Sequence, residues 1–296
     1  MKPYQESFFD TGKVKINFLS SGPELAEPLI MLHGGAWSWQ EFLSLIPHLA
    51  ENWRVYALDL RGNGKSEWMP GHYCLEDFTD DTFRFIENLD SSVVLIGHSI
   101  GGVVGLMTAA RCPARVKALI IEDAPLSLDN YSSLMDAGRD MFRLWLNLKK
   151  SAKSETVLAL SLAYNYKHYG ITSTWITFFS TCLWRLDPDF FDSLLNDFDR
   201  FTSGYDYRQI LSQIKCRTLF ITGDTALGSV MTQDEVSYLN QNVENVKLVR
   251  IQGVGHLLHL QDLGQKPVLD WSSRVFWAKA QRYRSVNVFW GLYCSH

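Results

Sequence analysis

Short runs of continuous apolar residues alternate along this chain with longer stretches in which apolar side chains return every three or four positions. Residues 28–32 (Pro-Leu-Ile-Met-Leu), 54–59 (Arg-Val-Tyr-Ala-Leu-Asp), 93–96 (Val-Val-Leu-Ile), 116–121 (Val-Lys-Ala-Leu-Ile-Ile), 218–222 (Thr-Leu-Phe-Ile-Thr) and 246–251 (Val-Lys-Leu-Val-Arg-Ile) read as strands, most of them buried on both faces. Residues 13–20 alternate polar and apolar positions, the pattern of an exposed edge strand. Helices are expected around 40–50, at 75–89, directly after residue 100, and at 262–280; in the second of these Leu75, Phe78, Thr82, Phe85, Ile86 and Leu89 fall on one face. Strands and helices alternating in this way predict a mostly parallel α/β sheet covered on both faces. Ligands in such sheets bind beyond the carboxyl ends of the strands.

Between 125 and 205 the rhythm changes. Leu134, Met141, Leu144, Trp145, Leu148, Leu158, Leu162, Phe178, Phe179, Leu183, Phe190, Phe191 and Leu194 recur at helical intervals with no buried-strand run among them. This predicts a helical insertion. Fifteen of the 39 aromatic residues fall within it, which suits a lid presenting an apolar underside to a pocket. Trp145, Trp175 and Trp184 from the insertion, with Trp37 and His98 from the core, are the candidate pocket residues.

The stretch around which the rest is organised is Val93-Val94-Leu95-Ile96-Gly97-His98-Ser99-Ile100-Gly101-Gly102. An apolar strand runs into Gly-His-Ser-Ile-Gly and then into a helix rich in small residues, so a serine stands at the apex of a sharp corner. Glycines on both sides let the backbone pass close to itself there. The Ser99 hydroxyl then lies over the first helical N–H groups, whose partial positive charge favours an anion. Residues 93–110 are long enough and apolar enough to suggest a membrane span, but His98, Ser99 and the glycines interrupt the middle, and no span is expected.

Charge and cysteine usage narrow the classes. A net charge of -4 leaves no basic face for nucleic acid. Five cysteines (Cys74, Cys112, Cys182, Cys216 and Cys294) are scattered without C-x-x-C spacing and read as reduced thiols. With an N-terminus lacking an apolar signal region, they point to a cytoplasmic location. There is no H-E-x-x-H, no cysteine–histidine cluster, no P-loop and no dinucleotide glycine fingerprint, so neither a metal nor a cofactor is implied.

Serine is a poor nucleophile at neutral pH and needs a histidine to take its proton. Of the eight histidines, His256 is the best placed: it sits on a glycine-flanked turn after the last strand, as a Ser…Asp…His chain order requires. From about residue 12 to 280 the chain resembles the α/β-hydrolases, in the serine-nucleophile branch with a helical cap. The resemblance rests on His33-Gly34-Gly35, on Asp59-Leu60-Arg61-Gly62-Asn63-Gly64-Lys65-Ser66, on Gly97-His98-Ser99-Ile100-Gly101 and on Gly255-His256. It implies the α/β-hydrolase fold with the cap inserted after the sixth strand: a core at 1–124 and 206–281, a cap at 125–205, and an atypical, aromatic tail at 282–296. It also implies an oxyanion hole formed by the N–H groups of Gly35 and Ile100.

The acid departs from the family's pattern. Its usual Gly-x-x-Asp slot after the seventh strand holds Gly223-Asp224-Thr225-Ala226, with alanine where the aspartate belongs. Asp224 is the nearest carboxylate and the first choice. Asp123, at the end of the preceding sheet strand, is the alternative because some family members place the acid there. Asp59 is expected to bond within its own turn, and Asp234 and Glu235 to begin the next helix.

The activity implied is a serine esterase acting on small to medium apolar carboxylic esters. Hydrolysis of a carbon–carbon bond in a diketone, of a lactone or of an amide would use the same residues. The alternative from another class is a small-molecule-sensing signalling protein of the same fold. The expected partner is the ester substrate, and the cap or the tail offers a surface for a homodimer.

Overall fold

The computed structural model describes residues 4–168 and 171–260. Eight strands, β1 (Gln5–Asp10), β2 (Lys15–Ser21), β3 (Pro28–Leu32), β4 (Arg54–Leu58), β5 (Val93–His98), β6 (Val116–Glu122), β7 (Arg217–Thr222) and β8 (Val246–Arg250), form one sheet in the order β1-β2-β4-β3-β5-β6-β7-β8. The β1/β2 and β2/β4 pairs are antiparallel; every other neighbour is parallel.

The parallel strands bury alternate side chains on opposite faces. In β3, Ile30 and Leu32 join one core while Leu29 and Met31 join the other; in β5, Leu95 and the pair Val94 and Ile96 divide the same way. On the first face lie α2 (Leu75–Glu87) and α3 (Ile100–Arg111). On the second, Trp39, Phe42, Leu45, Ile46 and Leu49 close the layer.

Two expectations need correction. Residues 13–20 are not an exposed edge: β2 is largely buried, because β1 pairs along its outer side. The true edge, β1, turns back through Gly12 at φ 81°, and its polar, half-exposed residues gave little apolar signal. The helix expected over 40–50 is a 3-10 turn (Trp39–Phe42) followed by the short α1 (Ile46–Leu49), since Pro47 lacks an N–H and suits only the first turn of a helix.

Between β6 and β7 the described chain is helical: α4 (Leu128–Ser151), α5 (Glu155–Asn165), α6 (Ser173–Arg185), α7 (Pro188–Asn196), α8 (Phe198–Phe201) and α9 (Tyr207–Gln213). Ser127, Ser154, Thr172, Asp187 and Asp206 cap α4, α5, α6, α7 and α9, each accepting a backbone N–H, which is why one long apolar pattern breaks into separate helices. The last α-helix among the described residues, α10 (Gln233–Asn242), starts at a capping box of Thr232 and Glu235. No helix among the described residues is long and apolar enough to cross a membrane. The helix expected at 262–280 and the tail at 282–296 lie outside the described residues.

Candidate active site

Strand register brings the candidate side chains together. His98 at the end of β5 is level with Glu122 at the end of β6, so the next residue of each strand, Ser99 and Asp123, leaves the sheet side by side. The ladder runs on past the strand ends, with Ser99 N–H donating to the Glu122 carbonyl at 2.9 Å and Asp123 N–H to that of Ile221 at 2.8 Å. Both residues then turn sharply: Ser99 has φ 53° and Asp123 φ 42°. With Ala36 (φ 65°), just beyond β3, they are the three non-glycine residues in the left-handed region among those described. Each costs about 1–3 kcal/mol and persists only where its surroundings hold it.

Gly97 and Gly101 make the Ser99 corner possible. A Cβ on Gly97 would stand 2.2 Å from the Gly101 carbonyl oxygen, and one on Gly101 would stand 2.1 Å from that of Leu32. Neither position can hold a side chain without moving backbone.

His256, on the loop after β8, completes a hydrogen-bonded chain. Its Nε2 lies 3.1 Å from Ser99 Oγ and its Nδ1 2.8 Å from Asp123 Oδ2. Asp123 has no exposed surface, and three further groups fix its carboxylate: Thr222 Oγ1 donates to Oδ1 at 2.9 Å, Ser229 Oγ to Oδ1 at 2.5 Å, and Val230 N–H to Oδ2 at 2.9 Å. Burial alone would raise this carboxyl; the hydrogen bond and charge of His256, with Ser229 and Val230, overcome that and hold it below the ordinary aspartate value. Burial pushes His256 the other way, below the ordinary histidine value, against the pull of Asp123 and with the help of nearby His98. A neutral imidazole bridging a hydroxyl and a buried carboxylate can take the hydroxyl's proton while the carboxylate stabilises the charge that forms.

Asp224, the first choice for the acid, is not part of this chain. Its Oδ2 accepts the Gly253 N–H at 2.6 Å and its own N–H donates to the Val254 carbonyl at 2.7 Å, so it shapes the loop leading to His256 from outside. Ala226, in the family's usual slot, is exposed on a short 3-10 turn. Asp59 bonds beyond its own turn: it accepts from Lys65 N–H, and also from Trp39 N–H and Asn17 Nδ2.

Gly35 and Ile100 are close neighbours: a Cβ on Gly35 would meet Ile100 Cδ1 at 2.7 Å. The neighbouring donors are occupied: Gly34 N–H serves Glu41 Oε2 at 2.8 Å, and Gly102 and Val103 N–H serve the Ser99 carbonyl. His33 orders this loop, with Nδ1 donating to the Gly34 carbonyl at 2.7 Å and Nε2 accepting Leu60 N–H at 3.0 Å, the pattern of a neutral ring.

The helices between β6 and β7 meet this loop through aromatic side chains. Trp37 stacks on Phe178 with ring centres 5.4 Å apart and touches Trp175 and Phe179, and Trp145 packs on Phe179 at 4.7 Å. Ser38 Oγ lies 3.1 Å from Cys182 Sγ on α6. Trp184 instead faces the Lys149 ammonium, 4.5 Å from its ring centre. His98 does not line an opening: it is wholly buried and paired with Glu41. Sequence reasoning missed Glu41, Glu122, Thr222 and Ser229. The one available signal was a pair of acids, Glu41 and Glu122, inside otherwise apolar segments.

The model of the alpha/beta hydrolase fold matches residues 27–263. The chain is 32% identical over 137 residues to a serine hydrolase-like protein of Danio rerio, covering 45% of this chain and 39% of that one. It is 32% identical over 123 residues to the 2-hydroxy-6-oxo-6-(2'-aminophenyl)hexa-2,4-dienoic acid hydrolase of Metapseudomonas resinovorans, covering 40% and 42%. The chain thus spans about two fifths of each relative's length. Among solved structures, naproxen esterase from Bacillus subtilis superposes with a TM-score of 0.64 at 19% identity, over 86% of each chain.

Proposed function

This chain belongs to the alpha/beta hydrolase family, and from that premise we propose that it is a serine hydrolase that cleaves carboxylic esters of apolar, small to medium substrates through an acyl-enzyme. The observation that carries the reading is the Ser99–His256–Asp123 hydrogen-bonded chain, with contacts of 3.1 and 2.8 Å. Ser99 Oγ attacks the ester carbonyl as its proton passes to His256 Nε2. Asp123 holds the ring and balances its charge. The N–H groups of Gly35 and Ile100 receive the oxyanion, each worth roughly 3 kcal/mol in the transition state. Collapse of the intermediate expels the alcohol, which takes the proton from His256; water activated by the same ring then releases the acid.

In this reading the helices from α4 to α8 form a cap. The Trp37, Trp145, Trp175 and Phe179 cluster supports an apolar acyl or alcohol group beneath it. The test is hydrolysis of p-nitrophenyl esters over a series of acyl lengths by the parent and by Ser99→Ala. Turnover that rises with acyl length and vanishes in the variant supports the proposal. A folded parent that hydrolyses none of them contradicts it, and leaves carbon–carbon bond hydrolysis or ligand sensing as the role of the same residues.

A further inference from the structure

Beneath Ser99 lies a group of ionisable side chains that the acyl-transfer mechanism does not use. Glu41, His98 and His259 have no exposed surface, and Glu122 has 2%. Glu41 comes from the 3-10 turn after β3, His98 precedes Ser99 on β5, Glu122 precedes Asp123 on β6, and His259 follows His256 by three residues. Each functional loop therefore sends one member into the cluster.

Glu41 Oε2 accepts the Gly34 N–H at 2.8 Å, and its Oε1 lies 2.7 Å from His98 Nδ1 and 3.9 Å from His259 Nε2. His98 Nε2 lies 3.1 Å from the His256 carbonyl oxygen. His98 thus has a carboxylate close to Nδ1, as a charge pair without hydrogen-bond alignment, and a carbonyl oxygen at Nε2. A carboxylate this close to a buried ring favours the charged imidazolium over the neutral form. Glu122 Oε1 receives the His259 N–H at 3.0 Å and its Nδ1 at 2.6 Å, tying down the far side of the same loop. The His98 and His256 rings lie 4.7 Å apart.

We propose that Glu41 and His98 are positioning residues: their buried ion pair joins the loop of Gly34 and Gly35 to the His256 loop, and the His98 imidazolium keeps His256 neutral and ready as a base. This rests on the reading of Ser99 and His256 as nucleophile and base. The groups facing His98 are Glu41 from the 3-10 turn, His33 after β3, Glu122 and Asp123 from β6, and His256 and His259 from the loop after β8. Glu41, Glu122 and Asp123 outweigh burial and raise His98 above the ordinary histidine value. The positive ring at 4.7 Å in turn depresses His256, which already has Asp123 as its own counter-charge.

Two measurements test this. The first is the rate at which a fluorophosphonate, which labels activated serines, modifies the parent and His98→Gln between pH 4 and 9. Removing the cation is expected to move the acidic limb of the rate upward by about one pH unit and to slow labelling at the plateau. A uniform loss at every pH, with the limb unmoved, overturns the proposal. A parent that is never labelled overturns the underlying Ser99 reading as well, which separates the two failures. The second is ¹⁵N NMR of the imidazole rings in the parent, which does not depend on any variant folding. At pH 7.5 both His98 nitrogens are expected to carry protons while His256 carries one, and Glu41→Gln should lower the His98 titration by more than one unit. A neutral His98 ring at pH 7.5 in the parent overturns the proposal.

Discussion

The ends of β6 and β7 look alike in sequence and behave differently in the fold. Ile120-Ile121-Glu122-Asp123 and Phe220-Ile221-Thr222-Gly223-Asp224 are each an apolar strand running to an aspartate. Asp123 turns at φ 42° directly beside Ser99, is fully buried, and is clamped by Thr222, Ser229 and Val230. Asp224 lies one residue further along, past Gly223, and spends its carboxylate on the backbone of Gly253. Which acid faces His256 is decided by strand register and by the donors waiting at the strand end, not by which aspartate comes nearer to a familiar spacing.

The comparison can be broken or sharpened by experiment. The largest effect is expected from Ser99→Ala, which should reduce kcat for ester hydrolysis by about 10⁴-fold or more; without that loss neither aspartate has a nucleophile to serve. Ser229→Ala removes one hydroxyl from Asp123 and leaves the rest, so kcat/KM should fall about tenfold at unchanged fold, equal to roughly 1.4 kcal/mol of lost transition-state stabilisation. Asp224→Asn should weaken the Gly253 contact and lower unfolding stability by about 1 kcal/mol, read in denaturant.

The smallest effect is in the pH dependence of stability. The depressed Glu41 carboxyl contributes stability that is complete above its ordinary value of 4.5 and fades as pH falls through the depressed one. The raised His98 contributes stability complete below 6.5 and lost as pH climbs through its raised value. These are one interaction seen from both partners, so the parent should exceed Glu41→Gln most between about pH 4.5 and 6.5. Chemical unfolding of both proteins across pH checks this; a constant difference at all pH would contradict it.

What the sequence reveals here is what depends on neighbours along the chain. The Gly97 to Gly101 corner is legible because its requirement is local: a Cβ at either glycine collides with backbone within a few residues or on the adjoining strand end. His256 is legible from its glycine-flanked turn. The carboxylate that meets it is not, because Asp123 reaches His256 across 133 residues of chain through the register of β5, β6 and β7. Glu41 and Glu122 escape for a related reason: a lone acid in an apolar stretch reads as solvent-facing until the fold sets His98 and His259 against it. His98 is misread in the other direction, since an aromatic ring beside Ser99 suggests a pocket wall, whereas the ring is fully buried, with Nδ1 2.7 Å from Glu41 and Nε2 3.1 Å from the His256 carbonyl oxygen. β1 is faint because an edge strand needs few apolar residues.

The central claim is that the β6 aspartate, not the β7 aspartate, orients the base. The most direct test is the pre-steady-state acylation rate of Asp123→Asn and Asp224→Asn on one p-nitrophenyl ester, with both variants shown to be folded. Loss of about 10³- to 10⁴-fold in Asp123→Asn and less than about threefold in Asp224→Asn is the predicted result. Equal losses, or a larger loss in Asp224→Asn, would contradict it.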